Sequence, residues 1–266
     1  MNKINNFTFM EGEVQVEHKF AAQLYTVREE LAKGIRPVFQ ELKEMGWAGV
    51  QISALPADHD PQEISAILKE TGLGTAGMHI SLDRLENDLE NVLKEADLYD
   101  TKDIVCPYLP QEYWNQEGYT KVKENLNAIA RKAPDYRISY HNHAFELETE
   151  INGVSALEFL LEPSEDNLIL AEVDVYWVKK GGRDPLSFIQ PYANRMPIIH
   201  LKDMTNDEKE LFAEVGTGQI DFVPILQWGE KSGVEWYAVE QDVCPGNPMD
   251  SLKISLENLM KLKERV

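Results

Sequence analysis

Cysteine is nearly absent: Cys106 and Cys244 are the only two in 266 residues, and they lie far apart with no C-x-x-C spacing. A zinc knuckle and a disulfide framework are thereby excluded, and both read as reduced thiols. Basic residues are scarce as well, with 26 Lys plus Arg against 46 Asp plus Glu and a formal net charge of −20. Such a surface repels phosphate backbones and anionic lipid, so neither nucleic acid nor membrane is an expected partner. No run approaches the roughly 18 apolar residues of a membrane span. The opening residues 1–14 also lack the continuous apolar stretch of a secretory signal. Together these absences point to a cytoplasmic protein. No strand candidate runs into a G-x-G-x-x-G turn, which removes the usual dinucleotide fingerprint.

What is present is an alternation of short β-rich segments with amphipathic helical stretches at intervals of roughly 30 residues, the pattern of a parallel α/β fold. Eight strands are predicted, at 20–26, 49–54, 74–80, 103–108, 137–143, 168–175, 197–201 and 236–241. Several are too apolar to keep a wet face, as strands covered by helices must be. Asp60-Pro61 and Asp184-Pro185 each place an N-cap before a proline at the first helical position. Leu82, Leu85, Leu89, Val92, Leu93 and Ala96 follow helical spacing across 82–98, and residues 247–266 read as a closing helix. Eight β/α units without an internal linker predict one domain over 1–266, a (β/α)8 TIM barrel. An open doubly wound sheet is the competing topology. Polar residues gathered at the ends of many strands, not at one switch point, favour the barrel.

Those ends carry the chemistry. Alternation puts His141 and His143 on one side of strand five, and Glu172 and Asp174 on one side of strand six. Strand seven adds His200, Lys202 and Asp203, and strand eight adds Glu240 and Asp242. Inward carboxylates in such apolar strands need a partner or a cation, and imidazoles with carboxylates at adjacent strand ends can converge on one divalent ion. Each residue also has an ordinary role open to it: Asp174 as a helix cap, His200 as a core histidine, Lys202 as an ion-pair partner. Four successive strands ending in ligand-type residues favour the joint site. The glycines of 215–219 read as a turn beside the mouth, since neither a helix start nor Lys-Ser/Thr follows them.

Gln23-Leu-Tyr-Thr-Val-Arg28, Gly77-Met-His-Ile80, Tyr140-His-Asn-His143, Asp174-Val-Tyr-Trp177, Gly181-Gly-Arg-Asp-Pro185, His200-Leu-Lys-Asp203, Val215-Gly-Thr-Gly-Gln-Ile-Asp-Phe222 and Val239-Glu-Gln-Asp242 stand in order along nearly the whole chain. In this the sequence resembles the xylose-isomerase-like TIM barrels, which include sugar-phosphate isomerases and epimerases, inosose dehydratase and, more distantly, endonuclease IV. The resemblance implies one divalent cation (Mn²⁺, Co²⁺, Mg²⁺ or Zn²⁺) held by Glu, Asp, His and Glu from strands five to eight. The matching positions here are His141, Asp174, His200 and Glu240. Strand five departs from the pattern, with His141 where the epimerases carry one of their two glutamate bases. The inosose dehydratase branch is similar in having a histidine-rich strand-five end.

The expected activity is that of a metal-dependent sugar or sugar-phosphate isomerase or epimerase, working by proton abstraction beside a carbonyl through an enediolate. Glu240 is the expected base, His141 its partner or a ligand, and Lys202 the cation for the developing enolate oxygen. His79, His143 and Trp177 are the candidate substrate contacts, and Glu146 is a candidate to swing inward for the missing glutamate. Arg28 reads as a helix-start or ion-pair residue. The partner is a small carbohydrate, and a homo-oligomer stays open. Three rivals share the fold: a dehydratase acting on an inosose or keto-sugar, a phosphodiesterase that the net charge argues against, and a non-catalytic sugar-binding barrel.

Overall fold

The eight apolar segments become eight parallel strands in a computed structural model that describes residues 19–266; the opening residues read above for a signal lie outside them. The strands are β1 (Phe20–Gln23), β2 (Gly49–Ile52), β3 (Gly74–His79), β4 (Asp103–Cys106), β5 (Arg137–His141), β6 (Leu170–Glu172), β7 (Ile198–Leu201) and β8 (Trp236–Val239). They pair in the order β6-β5-β4-β3-β2-β1-β8-β7. The two ends of that order meet through a parallel bridge between Asp174 and His200, with His200 N–H donating to the Val173 carbonyl at 3.0 Å, so the sheet closes into a (β/α)8 barrel.

Every predicted strand is found, and most are shorter at their C-terminal ends than the pattern suggested. The trimmed residues leave the ladder because their backbone or side chains are used otherwise. After β1 the chain turns into a 3-10 segment, Leu24–Val27, capped by the Gln23 side chain. After β6, Asp174 caps the helix Val175–Lys180. The Asp-Pro signals at 60 and 184 act as N-caps as expected, and Asn247 caps the closing helix Pro248–Lys263. The helical spacing across 82–98 is realised as two helices, Leu82–Asn87 and Leu89–Leu98. The break falls at Asp88, which leaves helical geometry while its carboxylate accepts from Asn91 and Arg84.

Alternation along the strands separates two cores. Outward residues such as Ile52, Ile104, Tyr140, Ile199 and Tyr237 join the large apolar cluster between barrel and helices. Inside the barrel the apolar content is small: Val105, Ile198 and Ala238 pack with Trp236 as a floor. Above that floor the interior is polar, and its side chains are therefore obliged to satisfy one another. The β2–β3 register carries a bulge, because Val50 pairs with Thr75 but Ile52 pairs with Met78. The extra residue lies at Gly77, whose φ of +85° suits glycine and where a Cβ would press on Asp103 and Ile198. The bulge reverses the side-chain order, sending Met78 outward and His79 into the barrel.

Candidate active site

Of six histidines in the chain, four (His79, His141, His143 and His200) converge at the C-terminal mouth of the barrel. Three of them, His79, His141 and His200, share Glu172 as a neighbour. Its Oε1 lies 2.7 Å from His79 Nε2, 3.0 Å from His200 Nε2 and 3.3 Å from His141 Nδ1, the last outside a good hydrogen-bond angle. Its Oε2 accepts from Gln51 Nε2 at 2.5 Å. Gln51 Oε1 in turn faces His200 Nε2 at 2.6 Å and accepts from Gln23 Nε2 at 2.6 Å.

One layer higher, His141, Asp174, His200 and Glu240 each offer a ligand atom, all within 4.8 Å of one another. His141 Nε2 is 3.9 Å and His200 Nδ1 4.0 Å from Asp174 Oδ2, and His200 Nδ1 is 3.3 Å from Glu240 Oε2. Asp174 divides its labour: Oδ1 accepts from the backbone N–H groups of Tyr176 and Trp177, and Asn142 Oδ1 accepts from the Asp174 N–H. Oδ2 is buried without a hydrogen-bond partner. Besides the Lys202 ammonium at 3.0 Å, this oxygen faces two imidazoles and a second carboxylate, a mixed N/O donor set that fits a divalent cation such as Mn²⁺, Co²⁺ or Zn²⁺. The helix-cap role and the ligand role of Asp174 thus coexist on separate oxygens.

Lys202 is fully buried in this layer. Its Nζ sits 2.7 Å from Asp242 Oδ2, to which it donates, 2.9 Å from Glu240 Oε2 and 3.0 Å from Asp174 Oδ2. Burial opposes the ammonium, but Asp174, Glu240 and Asp242 outweigh it and hold the group well above the ordinary lysine range. Burial likewise works against charge on Glu240, and Lys202 and His200 overcome it, holding the carboxyl well below its usual range. For Glu172 burial is again outweighed, by His200 and His79. His200, despite its burial, is pushed up to about 10 by Glu172 and Glu240. Burial, then the nearby His200, puts His141 well below the imidazole norm; burial and Lys202 lower His143 to about 3. The site therefore combines an ionised base with two neutral imidazoles.

A cavity of about 440 Å³ opens above, lined by His79, His141, His143, Glu240 and Asp242 with Tyr25 and Tyr108 at its rim. His143 is walled by Tyr108, Phe145 and Trp177 at ring separations of 5.6, 5.4 and 5.4 Å. Trp177 lies behind His143 and packs on Phe212, outside the cavity lining. Glu146 does not swing inward: its carboxylate accepts from Tyr140 Oη at 2.7 Å and from the His143 N–H at 2.8 Å, buried outside the barrel wall. Arg28 donates to the Tyr25 and Asp242 carbonyls and so tethers the loop after β8 to the loop after β1. The 215–220 turn is folded on Asp203, whose carboxylate accepts from the backbone N–H groups of Gly216, Gly218 and Ile220. A Cβ at Gly218 would collide with the Met204 carbonyl. With its N–H groups so used, that turn is no phosphate cradle. Cys106 and Cys244 are both free.

Glu172, Gln51 and Asp242 complete the site and were not among the residues singled out for a role. Glu172 carried a signal, an acid two residues before Asp174 on the same strand face, where a buried charge needs partners. Gln51 carried none beyond its strand.

The family model described as a xylose isomerase-like TIM barrel matches residues 39–262. An inosose dehydratase of Clostridium beijerinckii is 28% identical over 159 residues, covering 52% of each protein. The chain spans about half the length of several such relatives. An inosose dehydratase of Geobacillus kaustophilus is 26% identical over 85% of this chain and 86% of its own. Among solved structures, a sugar phosphate isomerase/epimerase of Parabacteroides distasonis superposes with a TM-score of 0.76 at 18% identity, covering 92% of this chain and 98% of that one.

Proposed function

The chain belongs to the xylose isomerase-like TIM barrel family, and from that premise we propose that it is a metal-dependent sugar isomerase or epimerase that removes a proton beside a carbonyl through an enediolate. What carries this reading is the meeting, over one cavity, of Glu240 just beyond β8, held ionised by Lys202 and His200, with the imidazoles of His141 at the end of β5 and His143 beyond it, held neutral by burial. A carboxylate base and neutral imidazoles lining the same cavity suit removal and return of a carbon-bound proton.

A divalent cation held by His141, Asp174, His200 and Glu240, whether Mn²⁺, Co²⁺, Mg²⁺ or Zn²⁺, would supply Lewis-acid polarisation of the substrate carbonyl. Glu240 takes the proton. Lys202 keeps Glu240 ionised and sets a fixed positive charge beside the forming enediolate, in a water-poor site where such a charge counts for more than in bulk solvent. His79 and His143 line the cavity and orient hydroxyl groups, and Trp177 backs the His143 ring. Among the described residues no lysine or arginine lines the cavity, Lys202 is committed to three carboxylates, and Glu240 and Asp242 face inward. These features favour a sugar without a phosphate. The tyrosines at the rim give its ring apolar faces to rest on.

A second reading, dehydration of an inosose or keto-sugar, is favoured by His141, which replaces the strand-five carboxylate of the epimerases and leaves one carboxylate base instead of two. Both reactions begin with the same proton abstraction. Incubating the manganese-loaded protein with unphosphorylated and phosphorylated ketoses and with inososes in D₂O separates them. Deuterium uptake with the carbon skeleton intact supports isomerisation or epimerisation, and loss of water supports the second reading. No exchange and no product from any of them would leave a sugar-binding barrel.

A further inference from the structure

Beneath the four candidate ligands lies a polar layer whose hydrogen bonds run in one direction. Gln23 is anchored by the main chain, because its Oε1 accepts from the Tyr25 N–H at 3.2 Å. That fixes its Nε2 as the group that faces Gln51 Oε1 at 2.6 Å, with the His79 Nδ1 and Nε2 at 3.3 and 3.4 Å. Gln51 must then present Nε2 to Glu172 Oε2, at 2.5 Å, and keep Oε1 for His200 Nε2, at 2.6 Å. His79 places Nε2 2.7 Å from Glu172 Oε1, and because an ionised carboxylate only accepts, that nitrogen carries a proton. Every amide end and both rings are satisfied by this single arrangement, and its terminus is the one charged acceptor, Glu172. Its consequence reaches the layer above: His200 keeps a proton on Nε2, and its Nδ1 faces Asp174 and Glu240, where a bound cation would take the place of the proton that Nδ1 shares with Glu240 Oε2 at 3.3 Å.

We propose that Glu172 is a positioning residue that, through Gln51, fixes the tautomer and tilt of His200, so that Nδ1 is the ligating atom. The inference rests on the reading that Asp174, His200 and Glu240 hold a divalent cation. Glu172 does not line the cavity, and although its carboxylate also lies within 4.8 Å of ligand atoms on His79, His141 and His200, both its oxygens are engaged by Gln51 and His79, so its effect passes through hydrogen bonds. A carboxylate or amide behind a ligating histidine is a general device for holding the ring and raising its basicity, and its loss costs about 10–100-fold in metal affinity. Here one carboxylate also lies beside His141 Nδ1, so both imidazole ligands sit against the same oxygen with their other nitrogens turned to the site.

The test is Glu172→Gln. One acceptor oxygen becomes an NH₂ that must meet either Gln51 Nε2 or His79 Nε2, donor against donor, and the strain is relieved by turning the Gln51 amide and moving the His200 proton to Nδ1. Titration with Co²⁺, followed by its visible absorption, should give an affinity about 10–100-fold weaker than wild type. Long-range ¹H–¹⁵N correlation of the Zn²⁺-loaded proteins should show His200 bound through Nδ1 in the wild type and lose that single pattern in the variant. A merely structural role would lower the melting temperature without changing which nitrogen binds. Gln51→Leu is the second variant, read the same way if Glu172→Gln does not fold; it keeps the carboxylate and removes the relay. Co²⁺ affinity within twofold of wild type, with Zn²⁺ still on Nδ1, overturns the inference. A wild-type protein that takes up neither Co²⁺ nor Zn²⁺ overturns the cation site beneath it, and the inference with it.

Discussion

Replacing Lys202 by methionine removes a charge and keeps nearly the same volume, and so isolates the electrostatics of the buried cluster. In the wild type the ammonium is within 3.0 Å of Asp174, Glu240 and Asp242, with no exposure of its own. Removing one partner of a buried ion cluster leaves the others uncompensated and costs about 3–5 kcal/mol. At roughly 2–4 °C per kcal/mol for a chain of this size, the chelator-treated variant should melt about 10 °C below wild type. A divalent cation bound only by the native state stabilises it by about 2.7 kcal/mol at a hundredfold excess over its dissociation constant. In the Lys202→Met protein that cation also neutralises carboxylates the lysine no longer covers. Manganese should therefore raise its melting temperature more than it raises that of the wild type, at the same metal concentration. Differential scanning calorimetry with and without Mn²⁺ measures both quantities. A chelator-treated variant melting within about 2 °C of wild type, or a manganese gain smaller than the wild type's, would refute the account of Lys202 as the internal counter-charge.

Glu240→Gln keeps shape and an oxygen but removes the proton acceptor, so exchange of the substrate α-proton with D₂O should fall by at least about 10²-fold; exchange at the wild-type rate would move the base to another residue. Asp174→Ala or His200→Ala should abolish most of the thermal stabilisation by Mn²⁺ or Co²⁺ seen in calorimetry, and an undiminished gain in either would remove that residue from the ligand set. Burial raises Glu146 from 4.5 to about 8, against the hydrogen bonds from Tyr140 and His143. Because the folded state then holds a proton that the unfolded chain has released, stability is greatest below pH 4.5 as far as this group is concerned and declines as pH rises to about 8, by up to about 1.4 kcal/mol per unit. Glu146→Gln should flatten that slope in urea unfolding between pH 5 and 9; an unchanged slope would assign it to other groups.

The architecture was legible because it rests on local periodicity. Segments such as 168–175 and 197–201 are too apolar to keep a wet face, as strands covered by helices are, and the Asp-Pro pairs mark helix starts through backbone chemistry that needs no tertiary partner. Alternation alone put His141 with His143, Glu172 with Asp174, and His200 with Lys202 on common faces, so the membership of the site followed from counting residues by two. The helical spacing over 82–98 did not show the break at Asp88, whose side-chain bonds the positions of apolar residues do not register.

Tertiary structure alone decided how those side chains divide their work. Counting by two along β3 gives the wrong side for His79, since the extra residue at Gly77 inverts the order relative to β2. Nothing along strand six says that Glu172 would gather three imidazoles while Asp174, two residues on, would cap a helix with one oxygen and offer the other to the site. Nor does the run His200-Leu-Lys-Asp203 show that Lys202 meets carboxylates from β6 and from the end of β8, while the next residue closes a turn of its own. The physical reason is that period fixes only the face of a strand. Depth and neighbours depend on the stagger between strands, and that stagger is set by closure of the barrel, which ties Asp174 to His200 and draws residues as far apart as 149 positions into one buried layer where each charge must find its partner.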